Sequence, residues 1–149
     1  MIRKALFSGS FDPFTIGHDA IVQRGLALFD ELIVAVAINS EKKTLFSLDD
    51  RLNVLKQLYE HENRISVSSY ANLTVDYALQ CGVHYILRGV RHIIDFEYEK
   101  NMASMNKKMA GIETVFLFAE PEFAFISSTL IRDLIYHQKD ISHLIPQIK

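Results

Sequence analysis

A single histidine, His18, follows Gly17 at the end of the stretch GSFDPFTIGH, residues 9–18, where a short apolar run gives way to a helical pattern. Glycines in such a turn let a ligand approach the main chain, a serine hydroxyl donates hydrogen bonds, and the unpaired amides of a helix start face anions. Gly9, Ser10, Gly17 and His18 therefore read as a cradle for charge developing on a phosphoryl group. In that reading His18 supplies a ring N–H donor and is not a general base. The plainer alternative makes the glycines turn formers, Pro13 a stiffener and His18 a partner of nearby backbone. The stretch matches neither the GxGxxG dinucleotide fingerprint nor a Walker A loop, so hydride transfer and P-loop hydrolysis gain no support from it.

Three further groups have chemistry to offer. Arg88 and Arg91 of RGVR flank Gly89 just beyond a predicted strand, where guanidinium forks suit phosphate oxygens or, alternatively, surface ion pairs with Asp95, Glu97 or Glu99. Lys42 and Lys43 form another basic point after a strand, or an ordinary surface pair. In ISSTLIRD, Ser127, Ser128 and Thr129 stand where the last helix begins, so their hydroxyls and the orphan amides cap the helix, hold a polyphosphate, or do both. Arg132 follows one turn later. In DFEYEKNMASMNKK, Phe96, Met102, Met105 and Met109 read as core residues. Alternatively the methionines, with Tyr98 and Asn106, line a groove for a long, partly apolar substrate carrying amides, while Asp95 and Glu99 orient a ribose, an arginine or water. No clear cluster of carboxylates or histidines suggests a metal site.

The elements that must position these residues are legible as alternation. KALFS, ELIVAVAI, RISVSS, HYILRG and ETVFLFA read as strands, the second and fifth apolar enough to expect cover on both faces. Helices are expected through GHDAIVQRGLALFD, SLDDRLNVLKQLYEH (capped by Ser47), TVDYALQC (stopped by Gly82), DFEYEKNMASMNKKMAG and SSTLIRDLIYHQ. Strand–helix alternation predicts parallel β-α-β units, and the loops after the strands gather at the carboxyl ends where ligands bind. The 149 residues suit one domain spanning 1–149, with no linker or repeat. A net charge of −2 suggests no nucleic-acid face. The lone Cys81 excludes an internal disulfide and a thiolate zinc cluster, and it reads as a small core hydrophobe. With neither a secretion signal nor an apolar run near the roughly 20 residues of a bilayer span, the expectation is a cytoplasmic protein without membrane contact.

GSFDPFTIGH, ILRGVRHIIDFEYE and FISSTLIRD, in this order and joined by SEKKTLFSLDDR, closely resemble the bacterial phosphopantetheine adenylyltransferases of the nucleotidylyltransferase superfamily. Thr15-Ile16-Gly17-His18 is the form of the superfamily's first motif expected in that branch. The resemblance implies a Rossmann-like α/β nucleotidylyltransferase fold with a five-stranded parallel sheet covered by helices. It implies an enzyme that adenylylates 4'-phosphopantetheine with ATP and Mg2+, giving dephospho-CoA and pyrophosphate in coenzyme A biosynthesis.

Catalysis would then rest on Ser10, Lys42, Arg88 and His18. The nucleotide would meet Ser10, Phe11, Gly17, His18, Gly89, Arg91 and Glu99, together with the segment Phe123, Ala124, Phe125, Ile126, Ser127, Ser128 and Thr129. Phosphopantetheine would meet Ser10, Lys42 and Arg88 through its phosphate, and Leu73, Thr74, Met102, Met105 and Asn106 along its arm. No metal ligand is implied among the side chains. A homohexamer and feedback inhibition by CoA are implied as well. Three positions depart from the common pattern: Ser10 stands for threonine and keeps the hydroxyl, Ile16 stands for asparagine, and Thr74 stands for a larger apolar residue.

Overall fold

The alternating runs form β1 (Lys4–Gly9), α1 (Ile16–Leu28), β2 (Glu31–Ala37), α2 (Leu48–Leu58), β3 (Ile65–Tyr70), α3 (Thr74–Gln80), β4 (Tyr85–Val90), α4 (Ile93–Ala110), β5 (Glu113–Phe118) and α5 (Ser128–Tyr136) in the computed structural model, which describes residues 1–149. A short 3-10 turn, Pro121–Phe123, precedes α5. All neighbouring strands pair in parallel, in the order β3-β2-β1-β4-β5. The expected five-stranded parallel sheet is therefore present.

The winding runs from β1 outward to β3, then restarts on the other side of β1 with β4 and β5. At this reversal only Ala5, Leu6 and Phe7 pair with Tyr85, Ile86 and Leu87. Beyond them Ser8 and Gly9 keep their pairing with Ala35 and Val36 of β2, while Arg88, Gly89 and Val90 pair with β5. The carboxyl ends of β1 and β4 thus part and leave a crevice at the place where open α/β sheets bind ligands.

Side-chain alternation along the strands divides the core. Phe7, Val34 and Val36 face α1 and α2 with Val22, Leu26 and Leu55. Leu6, Ile33 and Ile86 face the other side, where Val75 and Ala78 of α3 cover them with Ile112. Cys81 packs against this second cluster as a small apolar residue. Gly25 lies where a Cβ would sit 2.6 Å from Leu87 Cδ2, so α1 approaches the sheet more closely than an alanine there would allow. Ser47 caps α2 by accepting the Asp50 amide at 3.1 Å, and Gly82 ends the third helical unit with φ of +67°.

Two sequence expectations need correction. β2 is buried from Leu32 to Val36, but β5 is only half-buried along its length, with Phe118 exposed. It is an edge strand with β4 as its only neighbour, and α4, which follows β4, buries none of its own residues. For the same reason Met102, Met105 and Met109 are exposed and are not core residues, while Phe96 is half-buried against Phe116 and Phe118. No helix is long and apolar enough to cross a membrane.

The chain after α5 returns to the start of α1. Leu144 packs with Ile126, Ile131 and Ile16, and its carbonyl accepts the Ile16 amide at 3.0 Å. It thereby satisfies one of the orphan donors in the first turn of α1. Replacing this buried leucine, Leu144→Ala, is expected to lower stability by about 2–4 kcal/mol in urea unfolding, as for other core truncations. An unchanged midpoint would show that the tail is not anchored there.

Candidate active site

The crevice opens into a cleft of about 450 Å³ lined by the first loop, the ends of β4 and α4, and the start of α5. His18 lies at its inner wall as the third residue of α1. Its backbone amide donates to Thr15 Oγ1 at 3.1 Å, and the Thr15 amide donates to His18 Nδ1 at 3.0 Å, so the two residues cap the helix reciprocally. An Nδ1 that accepts a backbone N–H carries no proton, which places the proton of the neutral ring on Nε2. The spacing in Thr15-Ile16-Gly17-His18 thus selects the tautomer as well as the position. Phe11 and Phe14 hold the ring with centroid separations of 5.1 and 5.2 Å. Burial, then the positive charges of Arg88 and Arg91, pushes the His18 pKa down to about 3. The ring is a neutral hydrogen-bond donor at physiological pH, and its residue remains only half-buried on the cleft wall.

Arg88 lies within β4, not beyond it, where that strand has left β1. Its Nε and Nη2 donate to Glu99 at 2.9 and 2.6 Å, and its Nη1 donates to the Ser8 carbonyl at 2.7 Å. Since a guanidinium carries five N–H donors, one remains on each Nη for a ligand. Arg91 pairs more loosely with Asp95 at 3.6 Å. Lys42 has no carboxylate partner, and its Nζ donates to Ser10 Oγ at 3.2 Å. Lys42, Arg88, Arg91 and Arg132 all line this cleft, and of the four only Lys42 lacks an acidic neighbour within ion-pair range.

The three hydroxyls before and in α5 already have local work. Ser127 Oγ accepts the Leu130 amide at 3.0 Å, Ser128 Oγ donates to the Pro13 carbonyl at 2.7 Å, and Thr129 Oγ1 accepts from Arg132 Nη2 at 3.1 Å. Capping and cleft lining therefore coexist, because Ser127, Ser128 and Thr129 all border the cleft beside Phe123 and Ile126. Ala124 and Phe125 do not line it, and Phe125 is exposed.

A second cleft of about 410 Å³ runs along α4 and the start of α3. Leu73, Thr74, Met102, Met105, Asn106 and Met109 line it, mostly apolar with one side-chain amide. The two clefts share Ser8, Arg88, Tyr98 and Glu99. Arg88 is thus the guanidinium at their junction. The chain has no cluster of three or more side chains able to hold a metal ion. Asp95 and Glu99, the acidic groups nearest the arginines, are already taken up by them.

Arg51 and Asp12, not singled out from the sequence, complete the site together with Arg132. Arg51 Nη1 donates to the Ser10 carbonyl at 2.8 Å, and Arg132 Nη1 donates to the Asp12 carbonyl at 2.8 Å. The Asp12 carboxylate is almost fully buried and accepts the Leu45 and Phe46 amides, each at 2.8 Å. An aspartate between two phenylalanines in a predicted loop was the available signal. Its partners lie 33 and 34 residues away and leave no local pattern.

The cytidylyltransferase-like family model matches residues 6–134. The phosphopantetheine adenylyltransferase of Bacteroides fragilis is 47% identical, over 98% of this chain and 97% of that one. Its counterpart from Flavobacterium johnsoniae is 45% identical, over 97% and 95%. A bifunctional NMN adenylyltransferase/ADP ribose pyrophosphatase from Francisella tularensis superposes with a TM-score of 0.75 at 13% identity, over all of this chain and 46% of that one, and so supports the fold alone.

The depressed His18 pKa has a measurable consequence. The unfolded state binds this proton below about pH 6.5, whereas the folded state binds it only near pH 3. Stability is therefore complete above pH 6.5 and falls as pH drops from there toward 3. Between pH 7 and 5 the wild type is expected to lose up to about 2 kcal/mol that a His18→Gln variant keeps. Urea unfolding at both pH values measures the difference, and parallel losses would refute it.

Proposed function

Because the chain belongs to the cytidylyltransferase-like family, in its phosphopantetheine adenylyltransferase branch, it is a nucleotidyltransferase, and we propose that it transfers the adenylyl group of ATP to 4'-phosphopantetheine across the crevice between β1 and β4. One observation carries this placement: a cleft rich in cations and a mostly apolar cleft meet at Arg88. A reaction between a triphosphate and a phosphate on a long pantetheine arm needs such a junction. ATP takes the first cleft, with its phosphates near His18, Arg91 and the start of α5 and its base near Phe123 and Ile126. The arm takes the second cleft, along Leu73, Met102, Met105 and Asn106.

The acceptor phosphate attacks the α-phosphorus of ATP in line, and pyrophosphate leaves. That phosphate is already an anion, so no side chain has to remove a proton. Neutral His18 suits this chemistry, because its Nε2–H donates to charge that builds on the phosphoryl oxygens. Lys42 and the remaining donors of Arg88 hold the acceptor phosphate and reduce its repulsion from the triphosphate. The Glu99 carboxylate keeps the Arg88 fork in a fixed plane. No group of three or more His, Cys, Asp or Glu side chains is placed to hold Mg2+; a magnesium ion brought with ATP would be held mainly by the triphosphate and would supply partial neutralisation of its charge.

The exposed Ile93 and Ile94 at the start of α4, with Phe118 at the end of β5, support self-association, and a homohexamer is the assembly we propose. CoA shares the pantetheine arm and an adenylate, so it fits both clefts and acts as a feedback inhibitor. The proposed place of action is the cytoplasm.

Purified protein with ATP, Mg2+ and 4'-phosphopantetheine is expected to form dephospho-CoA and pyrophosphate in equal amounts. Binding of both substrates without turnover would overturn the reading. His18→Ala is expected to slow single-turnover adenylyl transfer on the order of a hundredfold, equivalent to about 3 kcal/mol. An undiminished rate in the folded variant would remove His18 from the chemistry.

Asn106→Leu is expected to weaken 4'-phosphopantetheine binding by about 1–3 kcal/mol, since the arm's amides lose a polar partner. ATP affinity should stay within twofold (about 0.4 kcal/mol). Calorimetry with each ligand alone decides the point, and equal phosphopantetheine affinity in both proteins would exclude Asn106 from the arm site.

A further inference from the structure

Asp12 is an almost fully buried carboxylate with no reacting atom assigned to it. Its Oδ2 accepts the Leu45 amide and its Oδ1 the Phe46 amide, both at 2.8 Å, while Arg132 Nη1 lies 3.9 Å from Oδ2. Both oxygens are thus spent on the backbone that leads from β2 to α2. That segment carries Lys42, and its other ties are the Ile38 amide to Tyr70, a turn in which Asn39 accepts the Glu41 and Lys42 amides, and the Ser47 cap of α2. Leu45 is half-exposed and Lys42 and Lys43 are exposed, so burial of side chains does little to hold the middle of the segment. Leu45 lies three positions after Lys42, roughly 10 Å of chain at full stretch. Anchoring the amides at 45 and 46 therefore limits where the Lys42 ammonium can reach.

The first loop is fixed from the other side. Arg51 holds the Ser10 carbonyl, Arg132 holds the Asp12 carbonyl and Ser128 holds the Pro13 carbonyl. Lys42 Nζ meets Ser10 Oγ on this fixed loop. The carboxylate is charged and receives two backbone N–H groups, the kind of hydrogen bond that is stronger than a neutral pair. We propose that Asp12 is a positioning residue that clamps the β2–α2 segment to the first loop and so sets Lys42 beside Ser10 for the acceptor phosphate. This rests on the reading of Lys42 as an anchor of that phosphate.

The test is a cycle of four proteins: wild type, Asp12→Asn, Lys42→Ala and the double variant, with KM measured for each substrate. Asparagine keeps the shape but offers one acceptor oxygen in place of two and no charge. Asp12→Asn is expected to raise KM for 4'-phosphopantetheine about tenfold, the effect of losing one charge-assisted hydrogen bond. KM for ATP should change by less than twofold. In the Lys42→Ala background the same substitution should add less than a twofold change.

An Asp12→Asn effect retained in full in the double variant, or equal rises in both KM values, overturns the proposal while leaving Lys42 in place. An unchanged phosphopantetheine KM in Lys42→Ala overturns the reading of Lys42 itself, and with it the routing of Asp12 through that residue. Hydrogen exchange of the Leu45 and Phe46 amides should accelerate at least tenfold in Asp12→Asn while the β2 amides keep their protection, and unaltered exchange also overturns the clamp. Should Asp12→Asn not fold, Leu45→Pro removes one of the two clamped amides at a half-exposed site and is expected to raise the same KM. A normal KM in that variant counts against the proposal.

Discussion

The structure depends on where β1 and β4 stop pairing. Their hydrogen-bonded register ends at Phe7 and Leu87, and each strand then follows its outer neighbour. Backbone groups freed at the seam need new partners in a buried place. The Ser8 carbonyl finds one in the Arg88 guanidinium, which bridges the gap that its own strand opened. The separation of the strands and the placement of a guanidinium in the crevice are therefore a single event. Close packing beneath the seam keeps it narrow. Gly25 brings α1 against Leu87, and Gly89 faces Ile21, where a Cβ would come within 2.9 Å.

Charge around the crevice is arranged by pairing. Arg88 and Arg91 each have a carboxylate from α4, so their forks are oriented without being neutralised at every donor. Asp12 turns its charge inward to backbone amides, and Lys42 keeps its ammonium for the cleft. His18 completes the set as a neutral donor. Its aromatic surroundings and the nearby arginines disfavour the charged ring, while the Thr15 cap selects the tautomer with Nε2 protonated. These groups come from three separated parts of the chain, residues 12–18, 42 and 88–99. Each is held by contacts that would exist without any substrate, which is the condition for electrostatic stabilisation with little reorganisation.

The edge of the molecule is arranged differently from its centre. β5 has one neighbour, α4 buries none of its residues, and the methionines of α4 line a cleft in place of a core. Flexible apolar side chains with a single amide among them can follow a long substrate arm. The same exposed helix leaves Ile93 and Ile94 uncovered near Arg91, so an apolar surface lies next to the cation-lined cleft.

Much of this was written in local patterns. Five apolar runs alternating with helical periods determined the element order, Ser47 and Gly82 marked helix ends, and Thr15-Ile16-Gly17-His18, RGVR and ISSTLIRD all contribute residues to one cleft, because capping, periodicity and turn geometry act over a few residues. The family likewise follows from motifs in register along the chain. Tertiary structure decided what depends on distant neighbours. ETVFLFA is as apolar as a central strand, yet the strand order leaves it at the edge. Asp95, Glu97 and Glu99 were equal candidates as partners of the arginines, and the fold gave Glu99 to Arg88 and Asp95 to Arg91. Asp12 had no local pattern to mark its role, but it is a buried carboxylate whose backbone partners lie beyond the next strand. The neutrality of His18 belongs to the same class, because desolvation and the fields of Arg88 and Arg91 arise only when β4 is brought beside β1.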